Sequence, residues 1–497
     1  MVNDFNSQRE ARCQALAGAP AAAISAPGYR LGFVAPIETE AELAIRGRLP
    51  AWLRGDLLRV CAAMYETPQG WRARHHFDGL AMLYRFTLDG NRALFRNRFI
   101  RSRQFLAAQR GRRWGHEFAA CASRGALERL LRPLAPTSDN TNINICRVGD
   151  RYLAVNESCH QYEFNPETLE TLGLHRYHDN LPASMAMSAH PLTDPATGEL
   201  INVAVRYGPC SEIIIYRIQR TSNERELIAS YRTRRPPWLH SFFITPRYVI
   251  LVQHPFSFCP WRFVLTAASV LECFDWRPAA RTVFVVIDRA TGARRYHAAD
   301  SFLMIHSVNA YQDGEDLVLD LLNYPDPHVL RDVLTISKSE VVCAPEFASQ
   351  PPYRISRLER FRLAHGRVEA HRELVLDTEV EFPAINEAAV RGRRYRYLYG
   401  VGPGSEGYLC RLHRFDLDRG VVRSWSRRDL YLGEPIFVAR PGATDEGDGV
   451  LLVPALDGVR QSSSLVVLDA ARLEELATVA APTHLPFGFH GQFFRRP

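Results

Sequence analysis

The segment HRFDLDRGVVRSW, residues 413–425, joins two short runs of alternating apolar and polar residues through an Asp-containing turn. The same arrangement occurs in RTVFVVIDRATGARRYH, residues 281–297, and in SSLVVLDAARLEELATVA, residues 463–480. Alternation with period two predicts β-strands, and turn residues between two such runs predict a hairpin. Three hairpins of one kind, without a strict repeat of about 40 to 50 residues, are what an irregular β-propeller would contain.

Most of the remaining chain shows the same strand-like pattern, as in INICRVGDRYLAV at residues 143–155. Helical periodicity is confined to residues 103–134 and 329–334. These observations predict an all-β fold, either a sandwich, a barrel or a propeller. No segment rich in Ser, Pro and Gly divides the chain, so we expect one domain over residues 29–497. We expect residues 1–28 to form a flexible tail before it.

Charge and hydropathy exclude several classes of protein. The 497 residues include 61 basic and 54 acidic side chains, and the resulting net charge of +7 is spread along the chain without a basic block. A nucleic-acid partner is therefore not expected. The N-terminus lacks a secretory signal, and the most apolar run, residues 263–274, is shorter than the roughly 20 residues that cross a bilayer. We expect a cytoplasmic protein that contacts membranes at most peripherally.

Three short motifs are interpreted as structural. Residues 402–407 match GxGxxG, but Pro403 interrupts the motif and a strand-like run follows where a phosphate-binding helix would have to begin. The triplets at 76–78 and 371–373 have the form His-x-Asp/Glu, which could supply two ligands of an iron site. Triplets of this kind arise by chance among 17 histidines and 54 acids, so we interpret both as turn or surface residues.

Four histidines differ from the others because each lies in an apolar, strand-like run: His190, His240, His306 and His490. Burial of an imidazole disfavours its charged form, and the neutral ring is the form that binds metals. Taken singly, each is better explained as a core histidine. Spacing alone does not join four residues spread over three hundred positions into one site.

The blocks around these histidines resemble the carotenoid cleavage oxygenase family, most closely the animal branch with the β-carotene oxygenases and the retinoid isomerase. The matching blocks include PAWLRGDLLR (50–59), HHFDGLAMLYRFTLDG (75–90), SDNTNINI (138–145), WLHSFFITPRYVILVQHP (238–255), HSVNAYQDG (306–314), VEFPAIN (380–386) and LPFGFHGQF (485–493). The resemblance extends from about residue 36 to the C-terminus. It implies a seven-bladed β-propeller with a loop and helix cap over an axial metal site.

The resemblance also implies roles for seven residues. It assigns Fe(2+) to four histidines, His190, His240, His306 and His490. It places carboxylates on the remote ring nitrogens of three of them, from Glu157, Glu381 and Glu434, and leaves His190 without one. Such carboxylates fix the tautomer and orientation of each ring. Four ligands leave room for O2, so the implied reaction is oxidative cleavage of a carotenoid or apocarotenoid C=C bond to aldehydes, with no catalytic residue beyond the iron centre.

This sequence departs from the family pattern at two points that bear on function. The usual RNGP after the first strand is replaced by Arg59-Val-Cys-Ala-Ala, and the PDPC signature of the animal branch is absent from residues 118–131. The second departure favours cleavage over a retinoid isomerase. A stilbene- or phenylpropene-cleaving oxygenase remains an alternative, as does a catalytically silent propeller, while the cleaved bond and the oligomeric state are left open.

An insoluble polyene substrate must reach the protein from a membrane. Residues 254–274 resemble a membrane-docking segment, and we expect four of its aromatic residues to be exposed for this purpose: Phe256, Phe258, Trp261 and Phe263. Residues 103–113, with four arginines, would form a companion strip that favours anionic lipid. Alternatively, residues 263–274 form a helix or strand of the core.

Overall fold

Seven antiparallel sheets form a ring of seven blades, so the protein is a seven-bladed β-propeller and the predicted fold is confirmed. The computed structural model describes residues 28–121, 137–266, 268–334, 336, 356–404 and 407–496. The predicted tail therefore lies almost entirely outside the described residues, which begin with Gly28 and a 3₁₀ turn over Tyr29–Phe33.

The first three blades are built as follows. Blade 1 contains β1 (Glu40–Glu42), β3 (Arg54–Met64), β4 (Leu80–Asp89), β5 (Arg92–Phe99) and β34 (Gly488–Arg495). Blade 2 contains β6 (Asn144–Val148), β7 (Arg151–Val155), β8 (Gln161–Phe164) and β9 (Thr171–Leu174). Blade 3 contains β10 (Ala186–Met187), β11 (Leu192–Thr193), β12 (Leu200–Arg206), β13 (Ser211–Ile218) and β14 (Arg225–Thr233).

The other four blades continue around the ring. Blade 4 contains β15 (Phe243–Ile244), β16 (Tyr248–Gln253), β19 (Thr282–Asp288) and β20 (Arg294–Ala299). Blade 5 contains β21 (Leu303–Asp313), β22 (Asp316–Tyr324), β23 (Arg357–Leu363) and β24 (His371–Glu379). Blade 6 contains β25 (Glu381–Ala384), β26 (Tyr397–Gly404), β27 (Gly407–Asp416) and β28 (Val421–Trp425). Blade 7 contains β2 (Ile45–Gly47), β29 (Leu430–Leu432), β30 (Ile436–Ala439), β31 (Gly449–Asp457), β32 (Ser462–Asp469) and β33 (Glu475–Ala480).

The three hairpins recognised in the sequence are the outer strand pairs of blades 4, 6 and 7, namely β19–β20, β27–β28 and β32–β33. All three hairpins have the same hydrogen bond at the turn. The Asp at the end of the first strand accepts a backbone N–H from within the turn, as Asp288 does from Ala290 and Thr291 at 3.0 Å. Asp side chains favour turns because they replace a backbone acceptor in this way.

The core of the described residues contains seven apolar clusters between the blades, one for each pair of neighbours, and an eighth beneath the cap. Successive side chains of a strand point to opposite faces, so a strand buried on both faces supplies two clusters. In β19, for example, Phe284 and Val286 pack toward blade 5, while Val285 and Ile287 pack toward blade 3. This arrangement explains why the strand sequences are nearly continuous apolar runs.

Both chain termini close the ring. Strand β34 pairs with β3 and completes blade 1, while β2 pairs with β33 and extends blade 7. The C-terminal strand thus joins the first blade through hydrogen bonds, and residues from the two ends of the chain become neighbours.

A cap of short elements covers one end of the propeller. It includes β17 (Phe256–Phe258) paired with β18 (Phe274–Trp276), the helices α1 (Arg103–Ala108) and α2 (Pro260–Leu265), and 3₁₀ turns at His76–Asp78 and Leu271–Cys273. A further short helix, α3 (Glu387–Val390), lies apart from the cap, near the turn between β15 and β16. The predicted helix over 103–134 is confirmed for Arg103–Ala108 and wrong for residues 109–121, where the chain turns at Gly111 and Gly115 with positive φ. The rest of the predicted helix lies outside the described residues. Residues 329–333 form a single π-helical turn.

The structure supports the rejection of the three short motifs. The GxGxxG match falls at the turn of the β26–β27 hairpin and is followed by a strand. His371 and Glu373 are exposed on β24. His76 and Asp78 lie in a turn, as expected, and this turn is buried.

Candidate metal centre

The propeller brings all four histidines together, although they are far apart in sequence. His190 lies between β10 and β11 of blade 3, His240 precedes β15 of blade 4, His306 lies on β21 of blade 5, and His490 lies on β34 of blade 1. One ring nitrogen from each forms a group in which all four atoms lie within 4.8 Å of one another. Side chains from four different blades meet only where the inner strands face the axis.

The three predicted glutamates lie directly behind this group. Glu157 follows β7 of blade 2, Glu381 begins β25 of blade 6, and Glu434 lies between β29 and β30 of blade 7. Each blade of the propeller therefore supplies one of the seven residues. This distribution places the group on the propeller axis.

Each glutamate bonds to the remote nitrogen of one imidazole. Glu381 accepts from His306 Nδ1 at 2.6 Å and Glu434 from His490 Nδ1 at 2.8 Å, and Glu157 accepts from His240 Nδ1. Among the described residues, the hydrogen bonds of His190 involve Ser188 and His240 and no carboxylate. With Nδ1–H donating, Nε2 of each of the three rings carries a lone pair that points to the centre.

The distances between these nitrogens fit a bound cation. His190 Nε2 is 3.0 Å from His240 Nε2, and His306 Nε2 is 3.3 Å from His490 Nε2. Two nitrogens that are each about 2.1 Å from one metal ion lie about 3.0 Å apart at a right angle. The lone pairs of His306 and His490 would repel each other at this distance unless a positive charge lay between them. The donor set therefore fits a metal ion with imidazole ligands.

Burial lowers the pKa of His190 and His490, whereas the groups that face Glu381 and Glu434 lower the pKa of these carboxyls against the effect of burial. The pKa of His490 is lowered to about 4, mainly by burial and against the effect of Glu434. Burial and the neighbouring imidazoles lower the pKa of His190 well below its ordinary value. Burial alone would raise the pKa of Glu381, but the charge and hydrogen bond of His306, with the hydroxyl of Tyr324, lower it to about 2.

Further polar groups hold the glutamates, and the sequence interpretation missed them. Trp238 Nε1 donates to Glu157 at 2.7 Å, Tyr324 donates to Glu381, and Arg59 forms an ion pair with Glu434 at 3.1 Å. Trp238 and Arg59 lie inside the blocks 238–255 and 50–59 that carry the family resemblance, so the sequence could have marked them as candidates. Tyr324 ends β22, and no sequence pattern marked it.

Aromatic rings enclose the centre. Trp238 stacks on His240 with ring centroids 5.0 Å apart, and Phe382 lies 5.7 Å from His306 and 5.5 Å from His490. Phe382 has a φ of 52°, a left-handed conformation that is uncommon for a bulky residue. Strained residues of this kind concentrate at functional sites. The centre is thus surrounded by apolar surface as well as by the carboxylates.

The expected exposure of the aromatic segment is wrong for two of its four residues. Phe256 and Phe258 are only 1% and 5% exposed, because β17 packs into an apolar cluster beneath the cap with Trp238 and Phe274. Phe263 is half-buried against His116. Trp261 is exposed on α2, a helix without a buried residue. In the part of the chain that the structure describes, no helix is long and apolar enough to span a bilayer.

Comparisons with known proteins agree with this architecture. Residues 33–495 match the family model described as retinal pigment epithelial membrane protein. The chain is 33% identical over 484 residues to carotenoid cleavage dioxygenase 8 homolog A, chloroplastic, of Oryza sativa subsp. japonica, covering 91% of this chain and 85% of the relative. It is 27% identical over 540 residues to the mitochondrial carotenoid-cleaving dioxygenase of Mustela putorius furo, covering 94% and 98%.

A solved structure shows the same fold. The cobalt-substituted apocarotenoid oxygenase of Synechocystis superposes with a TM-score of 0.82 at 24% identity, covering 94% of this chain and 98% of that one. The fold and the buried histidine group thus define a seven-bladed propeller with a candidate metal centre on its axis. Within this class, the chain belongs to the carotenoid cleavage oxygenase family, a family of dioxygenases.

Proposed function

We propose that this protein is a non-haem Fe(II)-dependent dioxygenase that cleaves a C=C bond of a carotenoid or apocarotenoid with O2 and releases aldehyde products. The observation that carries the proposal is the group of four imidazoles, three buried and one partly buried, of which one ring nitrogen each lies within 4.8 Å of the others. The names of the relatives, carotenoid cleavage dioxygenases, support the substrate class and the use of O2.

The four histidines would hold the metal, and the glutamates would orient three of them. A bound Fe(II) supplies a site where O2 is activated beside a conjugated double bond. Burial lowers the pKa of His490 to about 4, so its ring is neutral at physiological pH. A neutral ring is available as a metal ligand rather than as a proton donor. We assign no separate catalytic acid or base, because each of the three carboxylates already accepts a hydrogen bond from an imidazole N–H and the other rings beside the histidines are apolar.

The surroundings of the centre suit an apolar substrate. Phe382 and Trp238 present ring surface next to the imidazoles, and Phe77 and Phe489 pack against each other 5.3 Å apart nearby. Sites for apolar ligands are lined in this way, with few polar groups. A polyene would therefore be held by ring contacts rather than by hydrogen bonds.

The test is product analysis of Fe(II)-loaded protein incubated under air with β-carotene, with an apocarotenoid and with a stilbene in detergent micelles. We expect aldehydes from one of the two polyenes, identified by mass spectrometry. Cleavage of the stilbene alone would replace the substrate class, and isomerisation without cleavage would replace the reaction.

A pair of variants tests the metal ligands. His306→Ala is expected to lose bound iron and activity together, because it removes one converging nitrogen and the imidazole N–H that donates to Glu381. His371→Ala, an exposed histidine on β24, is the matched control and should retain both. Metal content is measured by elemental analysis. An iron content of His306→Ala equal to that of the wild type would remove this residue from the ligand set.

We also propose that residues 29–497 form a single domain and that the protein acts in the cytoplasm. In this proposal α2 contacts a membrane surface, and the substrate enters the protein at this contact. Trp261 and Leu265 are 55% and 76% exposed on this helix. Exposed apolar side chains at one end of a protein favour insertion into a lipid interface.

Sedimentation with liposomes tests this contact. The double variant Trp261→Asp/Leu265→Asp should reduce the fraction of protein that pellets with vesicles, because charged side chains do not enter the apolar interface. Neither residue is buried, so the fold should be retained. The control, Leu227→Asp/Leu374→Asp, changes two exposed leucines on the outer strands of blades 3 and 5 and should pellet like the wild type. Equal pelleting of both double variants would refute the role of α2.

A further inference from the structure

Arg59 lies behind Glu434, on the side of the metal centre where His490 is found. It lies on β3, paired in register with Gly491 of β34, and its side chain is 0% exposed. Its Nη2 donates to the carbonyl of Phe489 at 2.8 Å, and its Nη1 lies 3.1 Å from Glu434 Oε2. Taking a guanidinium out of water is costly unless it is paired, so its position is held by these two partners.

The other two glutamates have neutral partners instead. Glu157 accepts from the indole of Trp238, and Glu381 accepts from hydroxyls of Tyr324 and Ser356 and from the N–H of Phe382. Among the described residues, Arg59 is the one arginine in an ion pair with any of the three glutamates. The three carboxylates are therefore not equivalent in charge.

The fixed charge of the centre follows from this difference. The buried Glu381 and Glu434, the partly exposed Glu157 and the buried guanidinium of Arg59 together carry a formal charge of minus two behind the four imidazoles. A divalent ion brings the centre to neutrality, whereas a trivalent ion leaves one excess positive charge. An uncompensated charge is costly where the effective dielectric constant is low.

We propose that Arg59 is a positioning residue of the metal centre that holds Glu434 behind His490 and, by its positive charge, sets the fixed charge so that a divalent ion is preferred over a trivalent one. The proposal rests on the metal centre proposed above. It adds that the centre selects an oxidation state through a residue that does not touch the metal.

The test is a charge series measured as the midpoint potential of bound iron. Protein is loaded anaerobically with Fe(II) alone and titrated with redox mediators while the Fe(III) signal is followed by electron paramagnetic resonance. Glu434→Gln reduces the fixed charge to minus one, Arg59→Met increases it to minus three, and Arg59→Met/Glu434→Gln restores minus two. Arg59→Lys keeps the charge but loses the geometry of the guanidinium.

The potential should be highest in Glu434→Gln and lowest in Arg59→Met, with the wild type and the double variant close together between them. In Arg59→Met the preference for Fe(III) over Fe(II) should rise on the order of tenfold, as expected for removal of one nearby charge. Arg59→Lys should keep a potential near that of the wild type. If Arg59 only supports the fold, the double variant would be the most perturbed, and this order would overturn the proposal.

Two controls separate the possible failures. Arg225→Met removes another buried arginine, one that pairs with Asp179 in blade 3, and should leave the potential unchanged. If Arg59→Met does not fold, the test rests on the double variant, which leaves neither Arg59 nor Glu434 as an unpaired charge. Its midpoint potential should still be close to that of the wild type. Wild-type protein that binds no iron would refute the metal centre itself. Iron binding with a potential that is the same in all variants would refute only the role of Arg59.

Discussion

At the scale of single residues, the protein controls protonation by burial. The imidazole N–H groups and other donors outweigh the effect of burial at Glu434, whose pKa is lowered, and at Glu381, whose pKa is lowered to about 2. The buried His75, His76 and His254 show the opposite balance. Burial is the largest influence on each, and it lowers the pKa to about 3.

His75 shows the consequence of this rule outside the metal centre. It is fully buried, accepts from the N–H of Phe77 through Nδ1 at 3.0 Å and donates from Nε2 to the carbonyl of Leu330 at 2.8 Å. Burial lowers its pKa from 6.5 to about 3, although the bond to Leu330 opposes the shift. The unfolded chain therefore binds a proton at pH 5 that the folded protein does not bind.

This difference predicts a loss of stability in acid. Since the folded pKa of His75 is depressed, its contribution is complete above pH 6.5 and declines as the pH falls toward 3. Between pH 7 and pH 5 the loss is about 2 kcal/mol for one such histidine. In His75→Gln, the decrease in the free energy of unfolding by urea over this range should be smaller by about that amount.

The neighbouring His76, whose pKa is also lowered to about 3 by burial, is retained in this variant and keeps part of the pH dependence. His371→Gln, which changes an exposed histidine, should leave the pH dependence as in the wild type. Identical pH dependence in His75→Gln and the wild type would mean that His75 is protonated in the folded protein.

At the scale of elements, the metal centre depends on how closely β34 approaches β3. Gly491 lies opposite Arg59, and a Cβ at this position would collide with the carbonyl of Leu58 and with the side chain of Arg59. One of the two strands would have to move. Because His490 is the preceding residue, such a movement would shift a metal ligand.

Gly491→Ala should therefore lose stability and metal together. We expect a decrease of about 1–3 kcal/mol in the free energy of unfolding, typical of overpacking, and a lower iron content after loading. Gly208→Ala is the matched control, since the nearest atom to a Cβ there is 3.9 Å away. Denaturation curves and elemental analysis measure the two effects. A variant with wild-type stability and metal content would show that the strands have room for the methyl group.

Strands were far more predictable from the sequence than the elements of the cap. The β19–β20 and β32–β33 hairpins were recognisable because alternation and turn residues are local signals. The exposure of Phe256 and Phe258 was misjudged because the partner that buries β17 is the distant strand β18, together with Trp238. Likewise, the helical pattern after Arg103 did not predict that the helix ends at Ala108 and that the chain turns at Gly111 and Gly115.

At the scale of the whole molecule, the seven residues of the centre could be joined in advance only through the family resemblance. Residues as distant as His190 and His490 meet because the propeller closes, with β34 completing blade 1. Ring closure is a long-range property that no local pattern reports. The sequence could show that each histidine would be buried, but not that the four would share one centre.

Because every blade supplies one residue to the centre, a bound metal should stabilise the entire ring. An ion that binds only the folded protein adds about 2.7 kcal/mol of stability at a concentration one hundred times its dissociation constant. Co(II), which avoids oxidation by air, should raise the temperature of the calorimetric unfolding transition in wild-type protein, and a chelator should reverse the effect. His490→Ala should lose this response, since it removes the blade 1 ligand, whereas the exposed His371→Ala should keep it. A shift confined to one of several separate transitions would mean that the metal stabilises only part of the ring. No shift in the wild type would contradict metal binding at the axis.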